Sequence, residues 1–126
     1  MSDPQIRAHG VAGEPIQLEA EDAKLVTLAR AARARNAADE GAAVRDDTGR
    51  TYVATTVDLP SLQLSALRAA VVIAVASGAA GLEAAAVVTS SGLINDGDRA
   101  AVADLAAGVP IFVAGADGLV RSTVVA

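Results

Sequence analysis

The chain has 126 residues and a formal net charge of −5, and 52% of its residues are hydrophobic although only 2% are aromatic. This length predicts one domain, with a core built from alanine, valine, leucine and isoleucine. The acidic charge argues against nucleic-acid binding, because no basic stripe is present to neutralise phosphates. The absence of cysteine excludes disulfides, thiolate metal ligands and a cysteine nucleophile.

The first 17 residues differ from the rest of the chain. They contain two of the four prolines and no hydrophobic periodicity, which predicts a flexible amino-terminal arm (1–17) followed by a single domain (18–126). The only histidine, His9, lies in this arm without a partner motif, so we interpret it as solvated rather than as a metal ligand or base. The uncharged stretch over residues 69–82 is shorter than the roughly 20 residues of a membrane helix. With no signal-peptide pattern, we expect a cytoplasmic protein that does not contact membranes.

The spacing of apolar residues predicts three helices and five strands in the order α-β-β-α-β-α-β-β. The helices are predicted over Leu18–Arg35, Leu64–Gly78 and Asp98–Ala107, and the strands over Gly41–Arg45, Arg50–Val57, Glu83–Thr89, Pro110–Ala114 and Leu119–Val125. Short connections at both ends of the chain predict antiparallel hairpins, the first turning at residues 46–49. The helical connections between the middle strands predict a mixed five-stranded sheet in an α/β fold.

The predicted helix Leu64–Gly78 is apolar on nearly every side, and Arg68 is its only charged residue. We therefore expect it to be buried on most faces, both within a subunit and between subunits. Residues 58–61 are expected to break the strand that precedes it. Either Ser61 or Ser65 is expected to cap its start.

Several residues between Glu40 and Gly78 occur at the spacing of one enzyme family. They form a Gly-Ala-Ala strand, a hairpin glycine, a tyrosine in the next strand and a helix with Ala-x-Arg in its first turn: Gly41-Ala42-Ala43, Gly49, Tyr52, Ala66, Arg68, Ala74 and Gly78. This segment resembles the small homo-oligomeric cytidine deaminases, and the order of elements agrees over roughly residues 22–125. The resemblance implies a cytidine deaminase-like three-layer sandwich.

The resemblance also implies a zinc site. In this sequence, however, the positions of the zinc ligands and of the catalytic glutamate carry other residues. Zinc deaminases use three metal ligands and a glutamate that is not a ligand but moves protons. The first ligand position is Ser65 here, and the glutamate position is Leu67. The Pro-Cys-x-x-Cys motif of the family falls on residues 95–98, so Asn95 and Asp98 stand in place of two thiolates. Because this is a poor zinc set and leucine cannot transfer protons, we expect no metal, no cofactor and no zinc-dependent deamination.

Two further motifs at the implied site allow more than one interpretation. Thr56 and Asp58 align with a nucleoside-contacting Asn-x-Glu pair, and they are either a retained sugar-binding corner or an ordinary strand end before a turn. Arg68 follows the glutamate position. We hypothesise that an Arg68–Asp98 ion pair fills the vacated metal site and joins the second and third helices; the alternative is two solvated charges.

Three functions are compatible with this sequence. The preferred one is a catalytically inactive relative (a pseudoenzyme) that forms a homo-oligomer, dimer or tetramer, because members of the resembled family commonly form tetramers with their central helices near the shared centre. The second is a protein that still binds a nucleoside or nucleotide without the chemistry. The third is an enzyme that uses Asp96 and Asp98 with a hard cation such as Mg²⁺ or Ca²⁺; the twelve-residue calcium-loop pattern is missing, so turn chemistry explains these residues better.

Overall fold

A computed structural model describes residues 16–126 of the chain. Most of the predicted arm over residues 1–17, including His9, lies outside the described residues. At the start of the described part, the backbone N–H of Ile16 donates to the carbonyl oxygen of Val120 at 2.9 Å, and Ile16 packs against buried residues of the core. The structure therefore attaches Ile16 to the domain.

Residues 16–126 contain three helices and seven strands. The helices are α1 (Ala20–Asn36), α2 (Ala66–Ala76) and α3 (Asp96–Ala106), and the strands are β1 (Glu40–Asp46), β2 (Thr51–Thr55), β3 (Val57–Leu59), β4 (Leu62–Leu64), β5 (Leu82–Thr89), β6 (Pro110–Ala114) and β7 (Val120–Val125). Five strands form one sheet in the order β2-β1-β5-β6-β7. Only β5 and β6 pair in parallel, as a helical crossover through α3 requires. The predicted mixed five-stranded sheet is confirmed.

The sheet separates two apolar layers. Successive side chains of a strand point to opposite faces, so Ala42 and Val44 pack with α2 and α3, while Ala43 packs with α1. The result is a three-layer sandwich with α1 on one face and the other two helices on the opposite face. Gly41 allows the close approach of α1 to β1, because a Cβ at this position would collide with the backbone carbonyl of Ala29.

The hairpin between β1 and β2 turns at residues 46–49, as predicted. Oδ1 of the buried Asp46 accepts hydrogen bonds from the hydroxyl and the N–H of Thr48 (2.6 and 2.9 Å) and from the N–H of Arg50 (3.0 Å), and its Oδ2 accepts one from the Tyr52 hydroxyl (2.9 Å). These bonds, led by that of the Thr48 hydroxyl, lower the pKa of Asp46 to about 2. Gly49 has a φ of 89°, which glycine adopts without strain. The turn is thus fixed by local sequence.

The segment before α2 differs from the predicted strand that breaks at residues 58–61. The second strand ends at Thr55, and residues 58–61 do not break the structure, because β3 and β4 pair as an antiparallel hairpin that turns at Pro60-Ser61. Its register pairs Leu59 with Leu62 and Val57 with Leu64, which places these four apolar residues on one face. An apolar–polar–apolar pattern mirrored about the proline is the sequence signal that predicts this hairpin.

Helix α2 is shorter and less buried than predicted. Its inner face, which includes Leu67, packs on the sheet, whereas Val72 and Val75 on the outer side are 53% and 51% exposed and Ile73 is 40% exposed. The expectation of burial on most faces is therefore wrong for a single subunit. Although α2 is apolar, no helix between residues 16 and 126 is long and apolar enough to cross a membrane.

Candidate functional site

Ser65 caps the start of α2. Its backbone is extended (φ −63°, ψ 158°), and its Oγ accepts a hydrogen bond from the backbone N–H of Arg68 at 3.2 Å. A serine here satisfies one of the N–H groups that the first turn of a helix leaves without a partner. Of the two serines considered from the sequence, Ser65 rather than Ser61 is the cap.

Asn95 caps the start of α3 in the same way. Its Oδ1 accepts a hydrogen bond from the backbone N–H of Asp98 at 2.9 Å. The helix begins at Asp96, earlier than predicted, because Asn95 is the cap and Asp98 already lies in the first turn. The Asp98 side chain is only 3% exposed, so it is a buried carboxylate that needs a partner.

That partner is Ser65, and the bond joins the two helix starts. The Ser65 hydroxyl donates to Oδ1 of Asp98, with 2.6 Å between the two oxygens. A hydroxyl this close to a carboxylate forms a charge-assisted hydrogen bond, which is stronger than a bond between neutral groups. Three positions singled out in the sequence, Ser65, Asn95 and Asp98, are therefore brought together.

The hypothesised Arg68–Asp98 ion pair is not present within residues 16–126. The Arg68 side chain is exposed, while Asp98 is buried and receives the Ser65 hydroxyl. Ser65 lies directly at the helix start, whereas Arg68 lies on the outer side of α2, four residues before the exposed Val72. A short hydroxyl is also ordered at a lower entropic cost than a long guanidinium side chain.

Glu40, which the sequence reasoning missed, approaches the same centre from β1. The backbone N–H of Ala66 donates to its Oε1 at 3.5 Å, and the strand register places Glu40 opposite Thr89 of β5. The side chain is half-buried. A signal for it was present in the sequence: an acidic residue directly precedes the apolar run 41–44 of a central strand, and buried acids are rare without a partner.

The surroundings of Glu40 favour its protonated form. Burial raises the pKa of the Glu40 carboxyl above its ordinary value, and the negative charges of Asp98 and Asp39 raise it further. Hydrogen bonds from the Ala66 N–H and the Thr89 hydroxyl act in the opposite direction. The bond from Ala66 is at the long limit for a hydrogen bond, so burial and like charge outweigh it.

These side chains do not fit a zinc ion. Zinc in proteins is bound mainly by cysteine and histidine, and residues 16–126 contain neither. The Ser65 hydroxyl is donated to Asp98, and Oδ1 of Asn95 accepts the N–H of Asp98, so two of the three positions already have other partners. Within the described chain, no group of three or more Asp, Glu, His or Cys side chains is arranged to hold a metal. Asp96 is exposed whereas Asp98 is buried, so these two do not form the hard-cation site considered above.

Leu67 occupies the position that the resemblance assigns to the catalytic glutamate. It is completely buried (0% exposed) and belongs to the apolar cluster between the sheet and helices α2 and α3. A general acid or base must carry a titratable group within hydrogen-bond reach of the reacting atom. This position therefore contributes to core packing and not to proton transfer.

Thr56 and Asp58 line one open, polar cleft of about 410 Å³ next to the end of α1. The hydroxyl of Thr56 accepts a hydrogen bond from the backbone N–H of Glu40 at 3.0 Å, so it supports the start of β1. Asp58 is exposed and lies opposite Gln63 in the β3–β4 hairpin. The structure thus brings the two predicted remnant residues to one cleft, although Thr56 already has a structural partner.

Comparison with known proteins decides the family. A family model described as cytidine deaminase-like matches residues 18–118, which is well over half of the chain. The chain belongs to this family. In a search of curated proteins, none matches it in sequence.

Two solved structures are similar to this cytidine deaminase-like chain. The cytidine deaminase from Burkholderia pseudomallei is 23% identical, with a TM-score of 0.71, and the match covers 81% of this chain and 90% of that one. The cytidine deaminase from Mycobacterium leprae is 22% identical, with a TM-score of 0.62, and the match covers 71% and 85%. At these identities the likeness shows the fold, and chemistry has to be argued from the residues of the site.

We predict that Glu40→Gln stabilises the protein at neutral pH. The folded-state pKa of Glu40 lies above its ordinary value of 4.5, so the stability linked to its proton is fully present below that pH and is lost as the pH rises through the folded pKa. Glutamine is neutral at every pH and keeps the shape of the side chain. The melting temperature of the variant is expected to exceed that of the wild type by a few degrees at pH 7, and the difference is expected to shrink towards pH 4.

The control for this experiment is Glu21→Gln, the same change at an exposed position of α1. We expect it to show no gain that grows between pH 4 and pH 7. If Glu40→Gln is instead less stable than the wild type at pH 7, an ionised Glu40 stabilises the start of α2, and our interpretation of the centre is wrong.

Proposed function

We propose that this chain is a catalytically inactive member of the cytidine deaminase-like family and that it serves in oligomeric assembly. We base the loss of chemistry on one observation: the Ser65 hydroxyl is bonded to Asp98 at positions that the resemblance assigns to metal ligands. Hydrolytic deamination by zinc needs a metal-activated water and a glutamate that moves protons. Leu67 carries no proton, and Glu40 faces another carboxyl group rather than a set of metal ligands.

We base the assembly role on an apolar surface that the fold leaves uncovered. This helix–hairpin surface consists of the exposed apolar residues in the second half of α2 and the apolar face of the β3–β4 hairpin: Leu59, Leu62, Leu64, Val72, Ile73 and Val75. An open groove of about 370 Å³ lies between the hairpin and the helix. Contiguous exposed apolar surface is typical of protein interfaces, whereas single exposed apolar residues are not informative.

A second copy of the chain is the partner that this surface fits best. A two-fold interface brings the same patch of both subunits together, so a patch with central charges would repel itself. The six residues of the helix–hairpin surface are all uncharged, which lets two copies meet there although each carries a net charge of −5. A dimer or tetramer in the cytoplasm, as expected from the sequence, is part of this proposal.

We predict that the purified protein neither retains zinc nor deaminates cytidine. Elemental analysis of the protein and a chromatographic assay for uridine measure both properties. As a matched variant, cysteine at positions 65, 95 and 98 supplies the ligands of the family motif, and we expect it to bind about one zinc ion per chain. Zinc at one equivalent in the wild type, together with turnover of cytidine, would refute the loss of chemistry.

We predict that the protein has a mass in solution of at least twice its 12.5 kDa chain mass at micromolar concentration. Light scattering after size exclusion measures this mass. Leu62→Asp places a charge on the helix–hairpin surface, where Leu62 is 50% exposed, and should lower the mass to that of a monomer. Leu93→Asp is the control, because Leu93 is 75% exposed and lies outside this surface.

A wild-type protein that is strictly monomeric would contradict the assembly role. If both variants stay oligomeric, assembly uses another surface, and the part of the proposal that concerns the helix–hairpin surface fails.

Nucleoside binding without chemistry is a second candidate, and the cleft lined by Thr56 and Asp58 favours it. A ligand that binds only the folded state raises its melting temperature. Under this alternative, millimolar cytidine or uridine raises the melting temperature of the wild type. Asp58→Ala abolishes this rise, whereas the control Asp104→Ala, on the exposed side of α3, retains it. The absence of any shift in the wild type removes this alternative.

A further inference from the structure

We infer that the Ser65–Asp98 hydrogen bond is a metal-free latch that fixes the starts of α2 and α3 to each other, in place of the zinc ion that the family fold implies at these positions. The inference goes beyond the loss of chemistry, because it assigns a new structural task to the residues that remain. It depends on their geometry and not on the assembly of the chain.

The latch is built from bonds that leave little freedom at either helix start. The Ser65 oxygen takes part in two of them: it donates to Asp98 at 2.6 Å and accepts the N–H of Arg68 at 3.2 Å. On the other helix, the N–H of Asp98 is bound by Asn95 at 2.9 Å. Ser65 is thus held by its own helix through its side chain and Asp98 through its backbone N–H, while the two side chains bind each other.

Burial gives the latch its energetic importance. Asp98 is 3% exposed, and a buried carboxylate is costly unless it is hydrogen-bonded. Removing the Ser65 hydroxyl leaves that charge without its donor, so the loss is larger than that of an exposed hydrogen bond. A structural metal ion joins two elements by binding ligands from each of them. Here one hydroxyl and one carboxylate, 33 residues apart in sequence, connect the two helices directly.

Glu40 fills part of the space around the Ser65–Asp98 hydrogen bond. Its carboxyl group approaches from β1, accepts the N–H of Ala66 at the start of α2, and lies close enough to Asp98 for their charges to interact. The groups that face it are Asp98 from α3, Ala66 from α2, Thr89 from β5 and Asp39 beside it. The centre is therefore occupied by groups from β1, α2, α3 and β5 around the hydrogen bond.

A double-mutant cycle tests the latch. Ser65→Ala, Asp98→Ala and the double variant are compared with the wild type by urea unfolding. The loss of the α2 cap occurs in both backgrounds and cancels in the cycle, so the coupling isolates the Ser65–Asp98 bond. We expect a coupling of roughly tenfold or more in the unfolding equilibrium constant. Effects that simply add would overturn the latch while leaving the proposed loss of chemistry intact.

Further variants keep the test decisive. Ser65→Thr retains the hydroxyl and should recover most of the lost stability, whereas Ser61→Ala, the same change as Ser65→Ala in the exposed turn of the hairpin, should cost little. If Asp98→Ala does not fold, Asp98→Asn takes its place, and Ser65→Ala should then cost less stability in the asparagine background than in the wild type. Equal costs would overturn the inference.

Metal provides an independent arm of the experiment. A chelator and added zinc are each expected to leave the urea midpoint of the wild type unchanged, because the latch contains no metal ligand set. A midpoint that rises with added zinc and falls with chelator would overturn the inference, since a ligand that stabilises the folded state must bind to it.

Discussion

The hydrogen bond between Ser65 and Asp98 is the constraint on which the rest of the site depends. It fixes the first turn of α2 against the first turn of α3, with 2.6 Å between the oxygens. Within the first turn that follows this cap, Leu67 is buried in the core and Arg68 is exposed. The position that the resemblance assigns to a proton shuttle is therefore a packing position, and the arginine is exposed to solvent.

The same arrangement explains how carboxyl groups are tolerated in this centre. The amino end of a helix carries a partial positive charge and N–H groups without partners, both of which favour an anion. Asp98 lies in the first turn of α3 and Glu40 lies at the start of α2. Burial, together with the negative charge of Asp98, raises the pKa of Glu40 in spite of the N–H donor at the helix start. A zinc site neutralises its thiolate ligands with the metal ion, whereas this site stabilises its carboxyl groups with hydroxyl and N–H donors.

Sequence reasoning recovered the features that are set locally or by strong periodicity. The turn at residues 46–49 follows from Asp46, which accepts hydrogen bonds from the N–H groups of Thr48 and Arg50, and from Gly49 with its positive φ. The sheet and its layers follow from alternation along apolar strands. The choice of Ser65 rather than Arg68 as the partner of Asp98 depends on how two distant segments meet, and no local pattern encodes it. Glu40 stands out in the sequence as an acidic residue before an apolar run, but its role was missed because its partners lie on other elements.

The choice of residues on the outer face of α2 also favours assembly. Valine and isoleucine are less favourable than alanine in a helix by up to about 0.6 kcal/mol each, because their branched side chains lose rotamer freedom. On an exposed face of a monomer, alanine would serve better, and this chain uses alanine freely elsewhere in the same helix. Val72, Ile73 and Val75 therefore cost helix stability and expose apolar area at the same time. Burial against a second copy, as we propose, would offset both costs, because each fully buried side chain of this size contributes about 1.5–3 kcal/mol.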